Sequence, residues 1–449
     1  MKGPLARSLH SVLLAFALAC TIPANAISLH RKPVVIVISL DGFPAYAFDD
    51  ARLPIPTLRM MQREGAAAAS MRPINPTVTW PNHTSIVTGV NASVHHVLVN
   101  GLLEGQHEGR VKINPDANKS VLVHAETVYD VAHAAGLKTA QADWVAIHNP
   151  GTIDWEFEEK PDPKSPLAQQ LVHEGRLTQE ELATFTHAGS QEWRDNIYTD
   201  AMVDVIRGHR ANLILLHLLA LDSTNHKYGP ESAASDTAMA FLDDKVREVV
   251  NAVKAAHAMK RTTFFIVSDH GFGEVNHLVH ANAVLHDAGL LDAQAGGALH
   301  GAWAVPEGGF SLVYVDKGAP ADTAAKLQQI FAKTEGVERV FTPEEYKALG
   351  LPTPAQSDQA PDLYLAAKDG YSFAGGDAGE VEEVPDRGSH GYLNSNPKMQ
   401  AIFIAWGAGI RGGTKLDAIP NLDVAPTVAT LLRVKLDHSQ GKPLTQILK

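Results

Sequence analysis

Three apolar runs in this chain stop at an aspartate: Val34 to Leu40 before Asp41, Leu213 to Leu221 before Asp222, and Phe264 to Ser268 before Asp269. A run of strand length with no polar face reads as a buried strand of a parallel sheet covered on both sides. The carboxyl ends of such strands share one edge of the sheet, where α/β proteins place ligands. Three carboxylates gathered there repel one another and lose hydration, a cost that a bound cation offsets. These runs therefore point to an α/β fold with a metal-type site at one sheet edge.

Two of the aspartates come with a histidine at ligand spacing. Asp222-Ser-Thr-Asn-His226 puts a carboxylate and an imidazole four residues apart. Asp269 and His270 are adjacent, and Gly271 permits the bend by which both side chains serve one site or two neighbouring metals. Downstream, Gly388-Ser-His390-Gly391-Tyr392 holds a third histidine in a glycine-flanked loop.

Residues 1–26 have the pattern of a signal peptide: Lys2 and Arg7 in a basic segment, an apolar stretch from Val12 to Ala19, and Ala24-Asn25-Ala26 as a cleavage site. This reading sends the mature chain to the periplasm or the exterior. The apolar stretch is too short to span a bilayer, and no spanning segment follows it. The single cysteine, Cys20, falls inside the leader and offers lipid anchoring as an alternative processing route. A mature chain without cysteine has no thiolate zinc ligand and no cysteine nucleophile. Removing the leader takes away two positive charges and no acid, so net charge moves from −12 to about −14. That balance excludes a dedicated nucleic-acid backbone binder, while small phosphorylated substrates stay open because cations reverse the local field.

Strand-like runs alternate with helical ones, which favours a doubly wound sheet. Thr127 to Ala135 and Asp236 to His257 have helical periodicity, with Gly136 closing the first. Further strands are expected at Ser311 to Val315 and Ala401 to Ala405, with a closing helix over Asn421 to Leu432. Residues 156–204 and 291–384 lack the strand–helix rhythm and read as insertions over the carboxyl edge of one domain spanning 32–449.

The segment Asn75-Pro-Thr77-Val-Thr79-Trp-Pro81 reads as a loop entering a helix, with Pro81 in the first turn and Thr79 near the N-cap. Such a helix end favours bound anions. Thr79 is thus either a cap or a nucleophile, and Thr77 is a competing hydroxyl.

The ordered set Ser39-Leu-Asp41-Gly-Phe, Thr79-Trp-Pro-Asn-His-Thr-Ser-Ile-Val-Thr-Gly, Asn100-Gly, Asp222 to His226, Ser268-Asp-His-Gly271 and Gly388 to Tyr392 resembles the nucleotide pyrophosphatase/phosphodiesterase branch of the alkaline phosphatase superfamily. The resemblance spans residues 34–432. It implies an alkaline-phosphatase-like, mostly parallel doubly wound sheet with helices on both faces and loop insertions at the carboxyl edge. It also implies two divalent metal ions, zinc by ligand type, about 4 Å apart. Asp222, His226 and His390 would hold one; Asp41, Asp269, His270 and the Thr79 oxygen would hold the other. Thr79 would attack phosphorus and carry a covalent phospho-threonine. Asn100 would steady a phosphoryl oxygen with the Thr79 N–H, its alternative being a turn residue before Gly101. The substrates implied are nucleotides or other phosphodiesters.

The same superfamily offers phosphomonoesterase, phosphonate hydrolase and lysophospholipase C activities as alternatives. A non-catalytic binding protein or a phosphotransferase is disfavoured, because every ligand and Thr79 are present and no spanning region follows the leader. His95-His96 and His277/His280 have metal-like spacing but no ligand role by the resemblance. Asp243-Asp244 is expected on the solvated face of its helix, and Asp423 at the start of the last one. Aromatic contact to a base or head group is available from Trp144, Tyr228, Phe310 or Trp303.

Overall fold

A computed structural model describes residues 32–209, 211–291, 301–376 and 379–449; the leader and Cys20 lie outside them. The run Val34–Leu40 forms a strand in the middle of an eight-stranded sheet and is buried along its whole length. Leu213–Leu218 and Thr262–Val267 flank it, both parallel, with Ser39 paired to His217 on one side and Val267 on the other. The three strands expected to carry carboxylates are thus neighbours. The sheet continues through Thr139–Ala142 to Trp155–Phe157 at one edge. At the other it passes through antiparallel Phe403–Gly407 to Ala66–Ala68 and Thr414–Leu416.

Side chains alternate across a strand, so an all-apolar run must be covered twice. Val34, Ile36, Ile38 and Leu40 join a core with Leu58, Tyr198 and Val246, whereas Val35 and Val37 join another with Ile86, Val128 and Val424. Those partners lie on helices Pro56–Glu64, Gln191–Asp204 and Ala233–Ala255 for the first core, and Thr79–Thr88, Val128–Ala134 and Val424–Leu432 for the second. The mostly parallel, doubly wound sheet with helices on both faces is the expected one. Thr127 opens its helix with a capping box to Asp130.

Four details differ from the sequence reading. Asp222 does not end a strand. The strand stops at Leu218, and Asp222 sits in the first turn of the helix Ala220–Tyr228. Leu219-Ala220-Leu221 extends the apolar run past the strand end, with Ala220 and Leu221 buried in the helix that follows. Asp243 is buried, not solvated: its carboxylate accepts the N–H groups of Thr57 and Leu58 and so caps a neighbouring helix, while Asp244 pairs with Arg247 outside. Residues 156–204 hold the helices Pro166–His173, Gln179–Ala183 and Gln191–Asp204, the last buried against the sheet through Ile197, Tyr198 and Met202. Within 291–384 lies a four-stranded antiparallel sheet of Ala302–Pro306, Phe310–Val315, Leu363–Ala367 and Val337–Phe341. A three-stranded sheet of Gly370–Phe373, Gly273–Val279 and Val381–Ser389 leads directly into His390.

Candidate metal centre

Each candidate ligand is placed by a different element. Asp41 follows the central strand, and Asp269 and His270 follow its parallel neighbour Thr262–Val267. Asp222 and His226 share one helix turn, and His390 arrives from the small sheet. Two groups result: Asp41, Asp269 and His270 in one, Asp222, His226 and His390 in the other, with potential ligand atoms within 4.8 Å of one another in each. The His270 and His390 rings stack with centroids 3.8 Å apart, which joins the groups into one site. Phe272 packs beside the rings of His226, His270 and His390.

The hydrogen bonds assign the polarity of this cluster. His270 Nδ1 lies 3.0 Å from the Gly271 carbonyl, His226 Nδ1 3.2 Å from that of Gly388, and His390 Nδ1 3.1 Å from that of Thr77. A carbonyl only accepts, so each Nδ1 carries a proton, and in the neutral ring that a metal ligand requires each Nε2 presents a lone pair. Those Nε2 atoms face carboxylate oxygens: His270 to Asp269 at 3.2 Å and to Asp41 at 3.5 Å, His226 and His390 to Asp222 at 3.5 and 3.7 Å. Acceptor thus meets acceptor. Asp41 Oδ1, Asp222 Oδ1 and Asp269 Oδ2 are buried without any hydrogen-bond partner. Buried polar atoms normally find one, and a cation in each group is the partner this donor set fits. Burial first, then the charges of Asp269 and Asp222, push the Asp41 carboxyl well above the usual range. Burial, with His270 and His226 beside it, holds His390 well below its ordinary value and therefore neutral, as a ligand must be.

The two threonines are separated by their partners. Thr77 Oγ1 donates to the Tyr392 carbonyl at 2.6 Å and is committed to that loop. Thr79 is the first residue of the helix Thr79–Thr88, not its cap, and its Oγ1 lies 3.5 Å from His270 Nε2. Asn100 Oδ1 accepts the Trp80 N–H at 3.0 Å, which orients the side-chain amide at the same helix end. Gly42, at φ +67°, turns the chain after Asp41 and donates its N–H to Asp269 Oδ1 at 3.2 Å. A Cβ on Gly271 would collide with the Lys398 carbonyl oxygen.

Other residues fall elsewhere. His95 is bonded to Ser85 and Val97, His96 packs at a tilt against His124, His277 stacks on Tyr371, and His280 lies between Gly375 and Glu382. None of the four joins either group. The last helix begins directly after Asp423, whose carboxylate accepts the Lys442 N–H instead of capping it. Phe310 is stacked on Tyr364 in the core, Trp303 lies under Arg110, and Tyr228 is exposed beside Lys227. Trp144 is buried against His83, yet with Trp80 it lines a cleft shared by Asp116, Asp143, His148 and Glu159.

Sequence reasoning missed three buried polar residues behind the site. His83 Nδ1 faces the Thr79 carbonyl at 2.9 Å, and burial lowers its pKa to about 3. His217 Nε2 lies 2.8 Å from Asp41 Oδ2. Asp195 accepts the N–H groups of Leu219 and Ala220 where the Asp222 helix begins. The only signal for His217 was a lone polar residue inside an apolar run.

The sequence profile of the family described as "Type I phosphodiesterase / nucleotide pyrophosphatase" matches residues 35–393. The human "Ectonucleotide pyrophosphatase/phosphodiesterase family member 1" is 24% identical over 432 residues, covering 92% of this chain and 41% of the human one. The Rattus norvegicus family member 7 is 23% identical over 452 residues, covering 96% of this chain and 90% of its own. Among solved structures, murine ectonucleotide pyrophosphatase / phosphodiesterase 5 shares the fold with a TM-score of 0.72 at 17% identity, over 93% of this chain and all of that one. An inactive threonine-to-alanine variant of the same murine protein, in complex with AMP, matches with a TM-score of 0.71 at 18% identity, over 93% of this chain and 100% of that one.

Proposed function

This chain belongs to the type I phosphodiesterase / nucleotide pyrophosphatase family, and on that premise we propose that it hydrolyses phosphodiester or phosphoanhydride bonds of small phosphorylated compounds, nucleotides among them. One observation carries the reading. Thr79 Oγ1 stands at the positive end of a helix, 3.5 Å from His270 Nε2, beside carboxylate oxygens that lack any donor.

In this reading Asp41, Asp269, His270 and Thr79 Oγ1 hold one divalent cation and Asp222, His226 and His390 the other, with zinc the ion that oxygen and imidazole donors suit. When bound, such a pair neutralises phosphoryl oxygens and lowers the pKa of a coordinated hydroxyl. Thr79 Oγ1 attacks phosphorus in line, the bond from phosphorus to the leaving oxygen breaks, and the phosphoryl group remains on Thr79 as an ester. Water then attacks that phosphorus, breaks the bond to Oγ1 and restores the hydroxyl. Asn100 Nδ2 donates to a non-bridging oxygen, its Oδ1 being already engaged by the Trp80 N–H. The Thr79 N–H, without an intrahelical acceptor, is the second donor. Export through the leader to the periplasm or exterior belongs to the same proposal. Among the described residues no helix is long and apolar enough to cross a membrane.

The test is hydrolysis of a nitrophenyl ester of thymidine monophosphate, bis-nitrophenyl phosphate and nitrophenyl phosphate by the zinc-supplemented protein. The expected result is strong preference for the two diesters, abolished by chelator. Preference for the monoester would overturn the diesterase assignment.

A further inference from the structure

His217 is an unusual passenger in its strand. Its neighbours Leu213 to Leu216 and Leu218 are apolar and buried, and His217 is itself only 1% exposed. An imidazole at such a position is costly unless both ring nitrogens are satisfied. They are. Nε2 lies 2.8 Å from Asp41 Oδ2, while Nδ1 faces both the carbonyl of Asp143 at 2.9 Å and its carboxylate at 3.3 Å. Asp143 reaches the ring with both its carbonyl and its carboxylate, from a left-handed backbone at φ +54° that aspartate adopts more readily than most residues.

The consequence falls on Asp41. With Oδ2 engaged by His217, Oδ1 is left buried and without a partner, 3.5 Å from His270 Nε2. Asp269 repeats the arrangement: Oδ1 accepts the Gly42 N–H and Oδ2 is the orphan. In the second group nothing comparable anchors Asp222. Its Oδ1 is likewise without a partner, and among the described residues no hydrogen bond holds its other oxygen.

We propose that His217, braced by Asp143, is a positioning residue that fixes the Asp41 carboxylate with one oxygen turned to the cation of the Asp41, Asp269 and His270 group, and so sets the affinity of that group alone. The register pairs Ser39 with His217 on adjacent parallel strands, and the Asp41 N–H, just past the strand end, donates to the Leu218 carbonyl at 2.9 Å, which ties the two residues' backbones together. Partners of this kind change metal affinity by roughly 10–100-fold when removed. The proposal rests on the metal-binding reading above.

The test is competition between the full protein and a chromophoric chelator for Zn2+, with the visible spectrum of the Co2+-loaded protein as a second readout. Wild type is expected to bind two equivalents. In His217→Phe one equivalent should weaken by roughly 10–100-fold while the other is unchanged, and His217→Gln, which keeps a donor in reach of Asp41, should recover part of the loss. Equal weakening of both equivalents, or neither, overturns the proposal. Should His217→Phe fail to fold, Asp143→Ala decides: selective weakening of one equivalent supports the bracing role, and wild-type binding overturns it. A wild-type protein that binds no metal would instead refute the metal reading itself.

Discussion

Asp222 and His226 face each other across one turn of a single helix, with His226 Nε2 3.5 Å from Asp222 Oδ1 and His390 Nε2 3.7 Å from the same oxygen. One carboxylate oxygen therefore faces two imidazole Nε2 atoms and has no hydrogen-bond donor of its own. The helix makes the pair rigid, because i and i+4 positions are held by the backbone hydrogen bonds between them.

Removing that oxygen has opposite effects on the loaded and empty protein. Asp222→Ala should lose one of two zinc equivalents and more than about 100-fold of the activity. It should also lose the part of the zinc-induced rise in Tm that this group supplies. Without metal the variant should be at least as stable as wild type, since the charge of Asp222 is one that raises the Asp41 carboxyl. Thermal melts with and without chelator check both arms. A chelated variant markedly less stable than chelated wild type would mean that Asp222 is a structural residue.

Thr79→Ala separates binding from chemistry. Thr79 contributes one oxygen to a group that keeps Asp41, Asp269 and His270, so metal content should stay at the wild-type level. Turnover should fall by at least about 1,000-fold, the usual scale for a lost nucleophile. Acid-quenched wild type, but not the variant, should carry a phosphoryl group on this residue. Persistent turnover in the variant would remove Thr79 from the nucleophile's place.

The Asn100 amide does two things with two atoms, and substitutions divide them. Asn100→Ala loses both the bond to the Trp80 N–H and the donor, with an expected fall in kcat of roughly 100- to 1,000-fold. Asn100→Asp keeps an acceptor for the Trp80 N–H yet replaces the donor by a negative charge facing a phosphoryl oxygen. It should be the slower of the two. If Asp at this position is faster than Ala, the residue matters as a turn and not as a donor.

How much of this was legible in the sequence follows from how each residue advertises itself. Asp41 and Asp269 end apolar runs, and a run without a polar face has few ways to fold. Asp222 was visible as a ligand but misplaced, since Leu219-Ala220-Leu221 is as apolar as the strand before it. Thr139–Ala142, with the residues TAQA, has no strand pattern at all, so Asp143 just beyond it gave no sign of bracing His217. Asp243 and Asp195 were hidden for another reason. Each satisfies the N–H groups of a helix far away in sequence, and that depends on tertiary packing alone.

Asp195 also sets a pH dependence whose sign is fixed. It is fully buried, takes a hydrogen bond from Gln191 Nε2 at 2.9 Å as well as the Leu219 and Ala220 N–H groups, and burial pushes its carboxyl from 3.8 up to about 7. Between those two values the unfolded chain has lost the proton and the folded chain still holds it. Folding therefore takes up a proton, and stability falls as pH rises through this window. Below about pH 4 both states are protonated, and above about pH 7 both are ionised, so the contribution is flat on either side. At about 1.4 kcal/mol per pH unit, the window accounts for at most about 4 kcal/mol. Asp195→Asn cannot ionise. In urea unfolding of the chelated protein, its stability relative to wild type should rise steadily from pH 4 to pH 7, on top of a constant loss for the weakened helix start. Parallel profiles for the two proteins would show that Asp195 stays ionised in the fold, held so by its three donors.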